Sequence, residues 1–347
     1  MIETSVIKVN ESSDSVISYA AQIIKDGGLV VFPTETVYGL GADATNEDAA
    51  RKIYAAKGRP SDNPLIIHLS APDEAEKYTY TTDVYYKLAE RFMPGPLTVI
   101  LKARDTVPLA TRGGLDTVAV RCPENPIAHK LISLAGVPIA APSANLSGSP
   151  SPTNANHVID DMYGRVDVIL DGGDSEFGLE STIVKIEDDS TLVLLRPGKI
   201  TVDELSLVAP VKISGAIIKE LGDGEIALSP GMKYKHYAPK AKLVLLDCSV
   251  CSAINYIRKN LIADKTAVIS YSEDVEIFSS ELPNAYIYDF GGRCDFHSQA
   301  HKLFNLLREA DKAGYELIFA PLPKQEGVGL ALYNRMIRAA AHTIIKL

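Results

Sequence analysis

With 347 residues the chain is long enough for two buried cores, and its 46% apolar and 23% charged residues are those of an ordinary globular protein, which excludes a disulfide-stapled miniature scaffold, a collagen-like repeat and wholesale disorder. The net charge of −9 lies in residues 1–240, since residues 241–347 carry twelve basic and twelve acidic side chains; a protein devoted to gripping a long phosphate backbone is more often basic. No run reaches the roughly 18 uncharged apolar residues of a membrane span, and Met1-Ile2-Glu3-Thr4-Ser5 lacks the basic start of an export signal, so the expectation is a cytoplasmic protein with reduced thiols and no membrane contact.

Asp14 opens a helix whose apolar positions Val16, Ile17, Ala20, Ile23 and Ile24 keep one face, and Gly27-Gly28 stop it. Residues 29–32 read as a buried strand. Asn46, followed by Glu47 and Asp48, starts a helix ending at Lys57-Gly58, and residues 65–69 form the next strand. Strands at 97–102, 118–121, 137–141, 168–170, 182–186 and 192–195, with helices at 83–92, 126–135 and 154–163, complete an α/β domain over residues 1–208. Thr201-Val202-Asp203-Glu204 fits the capping box of a short closing helix. Residues 209–240 have weak periodicity, are punctuated by Ser229-Pro230-Gly231 and Ala238-Pro239, and read as a linker. Beyond it, residues 241–347 alternate strand 243–247, helix 249–262, strands 266–270 and 285–290, helix 295–313, strand 315–320 and helix 329–345. That pattern predicts a smaller, mostly parallel, Rossmann-like α/β domain.

Polar clusters follow the strands of the first domain, where open α/β sheets bind ligands. Pro33-Thr34-Glu35-Thr36-Val37-Tyr38-Gly39-Leu40-Gly41 follows strand 29–32. Its Gly39-x-Gly41-x-x-Ala44 spacing is a weak dinucleotide fingerprint: the glycines come seven residues after the strand, and Asp62 precedes its strand where a ribose-binding acid should end one. Lys57-Gly58-Arg59-Pro60-Ser61-Asp62-Asn63-Pro64 places two permanent cations in one loop and suits a polyphosphate, unless Lys57 simply complements its helix dipole. His68 sits mid-strand and by default is a core histidine. Arg121 ends an apolar strand and needs an anion there, either a substrate carboxylate or an internal Asp or Glu. The polar loop from Ala141 through Ser143, Asn145 and Ser151 to Thr153 lacks the nucleophile-elbow pattern and looks suited to bonding sugar and phosphate oxygens. Cys248-x-x-Cys251 at a strand-to-helix junction is read as helix-start packing, with a redox pair the alternative; Cys122 and Cys294 are read as structural.

Together these clusters resemble the YrdC-like family: Pro33-Thr34-Glu35-Thr36-x-Tyr38-Gly39-Leu40, Lys57-x-Arg59 with Pro64-Leu65, Val120-Arg121-x-Pro123 and Ser143-Ala144-Asn145. Residues 229–239, Ser-Pro-Gly-Met-Lys-Tyr-Lys-His-Tyr-Ala-Pro, with the trailing domain, resemble its two-domain, Sua-type branch. The resemblance implies an N-terminal open α/β domain with a large basic cavity. It implies an ATP-dependent synthesis of threonylcarbamoyl-AMP from L-threonine and bicarbonate or CO2, with Mg2+ accompanying ATP and pyrophosphate released. The product would feed a downstream tRNA threonylcarbamoyl transferase complex, with tRNA binding by this chain weak or indirect. By the same resemblance Lys57, Arg59, Ser143 and Asn145 are catalytic, and Lys57, Arg59, Ser61, Thr117, Ser143, Asn145, Ser151, Arg196 and Tyr234 face ATP. Thr34, His68, Arg121, the Ala141 backbone and Ser181 hold threonine, with Arg121 on its carboxylate. Tyr234, Lys235 and His236 would belong to a lid formed by the linker. The competing readings are an RNA-binding module, drawn from Lys233, Lys235, Lys240 and Lys242 beside Tyr234 and Tyr237, and a related carbamoyltransferase, although such enzymes carry further zinc-finger or acylphosphatase-like modules.

Overall fold

The computed structural model describes residues 2–188, 190–217 and 237–347. Two compact units emerge, one from residues up to 147 together with those from 151, the other from residues 148–150 and the C-terminal part of the chain.

In the first unit β1 (Ser5–Lys8) leads to α1 (Asp14–Lys25), β2 (Val30–Phe32), β3 (Gly39–Asp43), α2 (Glu47–Lys57) and β4 (Ile66–His68). Next come β5 (Thr79–Tyr80), α3 (Asp83–Phe92), β6 (Leu97–Ala103), α4 (Leu109–Arg112), β7 (Thr117–Arg121), α5 (Pro126–Ala135) and β8 (Ile139–Ala140). The unit closes with α6 (Ala155–Met162), β9 (Val168–Asp171), β10 (Thr182–Glu187), β11 (Thr191–Arg196), α7 (Val202–Ser206) and β12 (Val211–Ile213). All twelve strands join one mixed sheet in the order β1-β9-β2-β3-β8-β4-β7-β6-β10-β11-β12, with β5 on β6. The caps work as their residue types require: the Asn46 side chain accepts from the Asp48 and Ala49 N–H groups, Gly58 ends α2 in the left-handed region at φ +60°, and Thr201 with Glu204 forms a complete capping box. Asp14, expected to cap α1, lies in its first turn; Ser13 holds the cap position without a side-chain bond. The α1 face Ile17, Ala20, Ala21 and Ile24 packs with Ile127, Leu131 and Ile132 of α5 over β2 and β9.

The strand at residues 39–43 is absent from the sequence reading, which treats these residues as a turn. Gly39 and Gly41 pair with Phe32 and Val30 across the antiparallel β2–β3 ladder. A Cβ on Gly41 would sit 2.7 Å from the Phe32 ring and 2.8 Å from Ile139, so the glycine is required by close approach inside a sheet. This replaces the dinucleotide reading. Also unforeseen is β12, which pairs parallel with β11 although its residues were assigned to the linker.

The second unit contains β13 (Lys242–Asp247), α8 (Val250–Asn260), β14 (Thr266–Ser270), α9 (Val275–Glu281), β15 (Tyr286–Asp289), α10 (Phe296–Lys312), β16 (Leu317–Pro321), α11 (Gly329–Ala339) and β17 (Ile344–Lys346). Its five strands are all parallel, in the order β15-β14-β16-β13-β17. Ala253, Ile254 and Ile257 of α8 bury against Val268, Phe278 and Phe319. The final helix was expected to reach residue 345; it stops at Ala339, Ala341 and His342 take positive φ, and the last residues add an edge strand. No helix among the described residues is long and apolar enough to cross a membrane.

Candidate functional site

Sheet register assembles the site. His68 on β4 pairs with Arg121 on β7, Arg121 with Thr98 on β6, Thr98 with Ile183 on β10, and Ile183 with Arg196 on β11. Side chains at paired positions share a face, so a row from His68 to Arg196 crosses five neighbouring strands spaced about 4.8 Å apart, polar except at Ile183 of β10. The ladder slips between Ile183 and Val184, and that irregularity sets Arg196 opposite Ile183. Arg196 then donates from Nε to the Ser181 carbonyl and from a terminal nitrogen to Ser181 Oγ, both at 3.0 Å, while Ser181 Oγ lies 2.8 Å from Thr98 Oγ1.

Loops close over this row. Tyr38 N–H donates to the Pro152 carbonyl, Phe177 N–H to that of Glu35, Gly178 N–H to that of Thr36, and Ser175 N–H to that of Thr153. Lys57 Nζ donates to the Ser143 and Asn145 carbonyls at 2.5 and 2.6 Å, and Ser143 Oγ donates to Asn145 Oδ1 at 2.5 Å. The ammonium therefore latches the 143–145 loop and does more than complement the α2 dipole. Arg59 reaches the Asn63 and Pro64 carbonyls, each at 3.0 Å. Arg121 donates to Glu35 Oε1 at 2.6 Å, with side chains only 5% and 4% exposed. The internal acid considered for Arg121 is thus present.

Among the described residues of this unit, Lys57, Arg59, Arg121 and Arg196 are buried cations, whereas Glu35 and Glu180 are the buried carboxylates. Buried charge is costly unless it is bonded, and each of these cations is held by carbonyl, hydroxyl or carboxylate oxygens. Lys57 at the end of α2 is bonded to the loop of Ser143 and Asn145, Arg59 lies in the loop after α2, and His68, Arg121 and Arg196 belong to the row, with Ser181 bonded to its Thr98 and Arg196. Thr34 is buried beside Glu35, but its hydroxyl donates to the Val37 carbonyl at 2.6 Å. Ser151 Oγ donates to Glu180 Oε1 at 2.5 Å. The Ala141 N–H donates to the Ile66 carbonyl. Two predicted residues stand apart. Ser61 is exposed in a surface depression with Glu47, Arg51 and Asp62, and Thr117 begins the strand that Arg121 ends, about 13 Å away along it. Tyr234, Lys235 and His236 lie outside the described residues.

Sequence reasoning passed over Glu35, Asn63, Thr98 and Glu180 as site residues. Asn63 is buried with neither amide atom bonded, next to the Arg59 loop. Thr98 has no sequence signal; only the ladder sets it beside Arg121. Tyr237, offered as an RNA-stacking surface, is buried and stacked on Phe304 at 5.4 Å. Cys248 and Cys251 are unbridged, and burial raises the Cys248 thiol pKa, opposite to what a reactive thiolate needs. Burial pushes Cys122 up to about 12, in keeping with a packing role. Among the described residues no three His, Cys, Asp or Glu side chains group as a metal site.

His68 Nδ1 faces the Ile66 carbonyl at 3.2 Å, and its ring meets Phe32 edge-on. Burial first, and the Arg121 charge second, push its pKa down to about 3. Between that value and the ordinary 6.5 the unfolded chain holds a proton that the folded chain does not. This group therefore withdraws about 1.4 kcal/mol of stability per pH unit as pH falls through that window. His68→Gln is expected to flatten the loss of stability between pH 6.5 and 5, as read by urea denaturation; an unchanged slope would refute a neutral, buried His68.

The mixed twelve-stranded sheet and the parallel five-stranded one define a two-domain α/β protein whose first domain buries four basic side chains. The chain belongs to the threonylcarbamoyl-AMP synthase family: residues 22–198 match the model for Sua5, YciO and YrdC proteins, described as telomere recombination, and residues 200–341 match the model described as the C-terminal domain of threonylcarbamoyl-AMP synthase. It is 42% identical to the threonylcarbamoyl-AMP synthase of Pyrococcus abyssi over 99% of both chains, and 42% identical to that of Bacillus subtilis over 96% of both. The solved structure of P. abyssi Sua5 complexed with L-threonine superposes with a TM-score of 0.87 at 39% identity, covering 100% of this chain and 99% of that one.

Proposed function

We propose that this chain joins L-threonine, bicarbonate or CO2, and ATP into threonylcarbamoyl-AMP with release of pyrophosphate. The observation that carries the reading is the buried Arg121–Glu35 pair set by the ladder beside His68 and Thr98; the relatives' names and the threonine bound by the P. abyssi protein support the substrate class. In this reading Arg121 grips the threonine carboxylate, with Thr34, His68, the Ala141 backbone and Ser181 around the rest of the amino acid. Lys57, Arg59, Ser143, Asn145, Ser151 and Arg196 face the nucleotide, while Ser61, Thr117 and Tyr234 are assigned to it by the resemblance alone. The magnesium ion enters with the triphosphate as part of the substrate.

The chemistry asks for little from a general base. Threonine's amine, unprotonated, bonds to the carbon of CO2 and gives up a proton to solvent to leave a carbamate, whose anionic oxygen then attacks the α-phosphorus in line and expels pyrophosphate. Positioning and charge stabilisation then carry the rate, which suits cations preset by bonds to backbone carbonyls. The product would supply a separate transferase that modifies the adenosine beside the anticodon of tRNA, so this acidic chain need not hold tRNA tightly. The test is pyrophosphate release from ATP with and without threonine and bicarbonate. Dependence on both is expected, and release indifferent to threonine would overturn the assignment.

A further inference from the structure

The Arg121–Glu35 pair is incompletely satisfied in a telling way. One terminal nitrogen of Arg121 bonds Glu35 Oε1, yet Arg121 Nε and Glu35 Oε2 are both buried and have no hydrogen-bond partner. One orphan is a donor and the other an acceptor. An ion pair kept only for stability gains by satisfying both ends, because each unmet buried polar atom costs free energy. The neighbours do not fill the gap: the Thr34 hydroxyl proton goes to Val37, and His68 Nδ1 faces Ile66. A carboxylate guest would satisfy Nε alone, and an amine would satisfy Oε2 alone. A guest carrying both groups on one carbon satisfies the two together.

We propose that Glu35 receives the substrate's amine, so that Arg121 and Glu35 form a two-ended clamp for an α-amino acid, guanidinium to carboxylate and carboxylate to amine. This rests on the threonine-binding reading above and assigns to Glu35 a role separate from that of Arg121. The clamp selects amino acids over simple hydroxy acids, because a guest without the amine leaves a buried carboxylate oxygen unpaired.

The experiment is calorimetric titration of the full chain with L-threonine and with 3-hydroxybutanoate, which lacks the amine. The unaltered protein is expected to prefer threonine by about tenfold to a hundredfold. Glu35→Gln is expected to weaken threonine binding by a similar factor while leaving 3-hydroxybutanoate binding equal or tighter, since Arg121 loses its internal competitor. A purely structural Glu35 would weaken both ligands alike, and that outcome, or no change in either, overturns the proposal. ATP titration of the variant checks that it is folded. If it is not, the unaltered protein still decides: equal affinity for the two ligands overturns the clamp. Failure of the unaltered protein to bind threonine at all removes the parent reading instead, and the clamp with it.

Discussion

Arg121→Ala is expected to lower L-threonine affinity by about 2 to 5 kcal/mol, roughly thirtyfold to several thousandfold, the range for truncating one member of a buried charged contact. The same change leaves Glu35 buried without its cation, so the ligand-free protein should also lose about 3 to 5 kcal/mol of stability. These two effects separate in a double variant. Glu35→Leu with Arg121→Met removes both charges and should recover most of the stability, because apolar replacement of a buried pair is often neutral or better. It should not recover threonine binding. Urea denaturation and titration calorimetry read the two quantities, and unchanged threonine affinity in Arg121→Ala would reduce Arg121 to an internal partner of Glu35.

The second large effect is expected from Lys57→Met. The Ser143 and Asn145 carbonyls lose a charged donor, at about 1 to 3 kcal/mol for each acceptor left buried and unmet. The loop holding the Ser143–Asn145 bond then loosens, and ATP affinity should fall about tenfold to a hundredfold. Lys57→Arg should rescue poorly, since a planar fork does not reproduce an ammonium converging on two carbonyls. ATP affinity within twofold of the unaltered protein would leave Lys57 a loop clasp with no part in nucleotide binding.

Local signals in the sequence were strong where a single residue type has a single use. Asn46 and Gly58 bound α2 as their chemistry requires, Asp83–Phe92 and Pro126–Ala135 were foreseen to the residue, and the Thr201–Glu204 box formed. The failures share one cause. The Gly39-x-Gly41 spacing suggests a glycine-rich turn, yet Phe32 and Ile139 press on Gly41 from the sheet and favour its missing side chain. Val211–Ile213 looks like linker because it is short and half exposed, and it becomes a strand by pairing with β11. The end of α11 looked helical because nothing in Ala339-Ala340-Ala341 forbids a helix; pairing of residues 344–346 with β13 draws it off.

The candidate site divides in the same way. The sequence alone determined which side chains bring charge: Lys57, Arg59, Arg121 and Arg196 are cations at element ends whatever the fold does. Only tertiary structure decided that His68, Arg121, Thr98 and Arg196 share one face and that Glu35 answers Arg121. The reason is physical. Capping and side-chain charge are set by atoms within a few residues, whereas ladder register is set by the combined burial of many strands, and a slip of one position would turn every side chain of a strand to the opposite face.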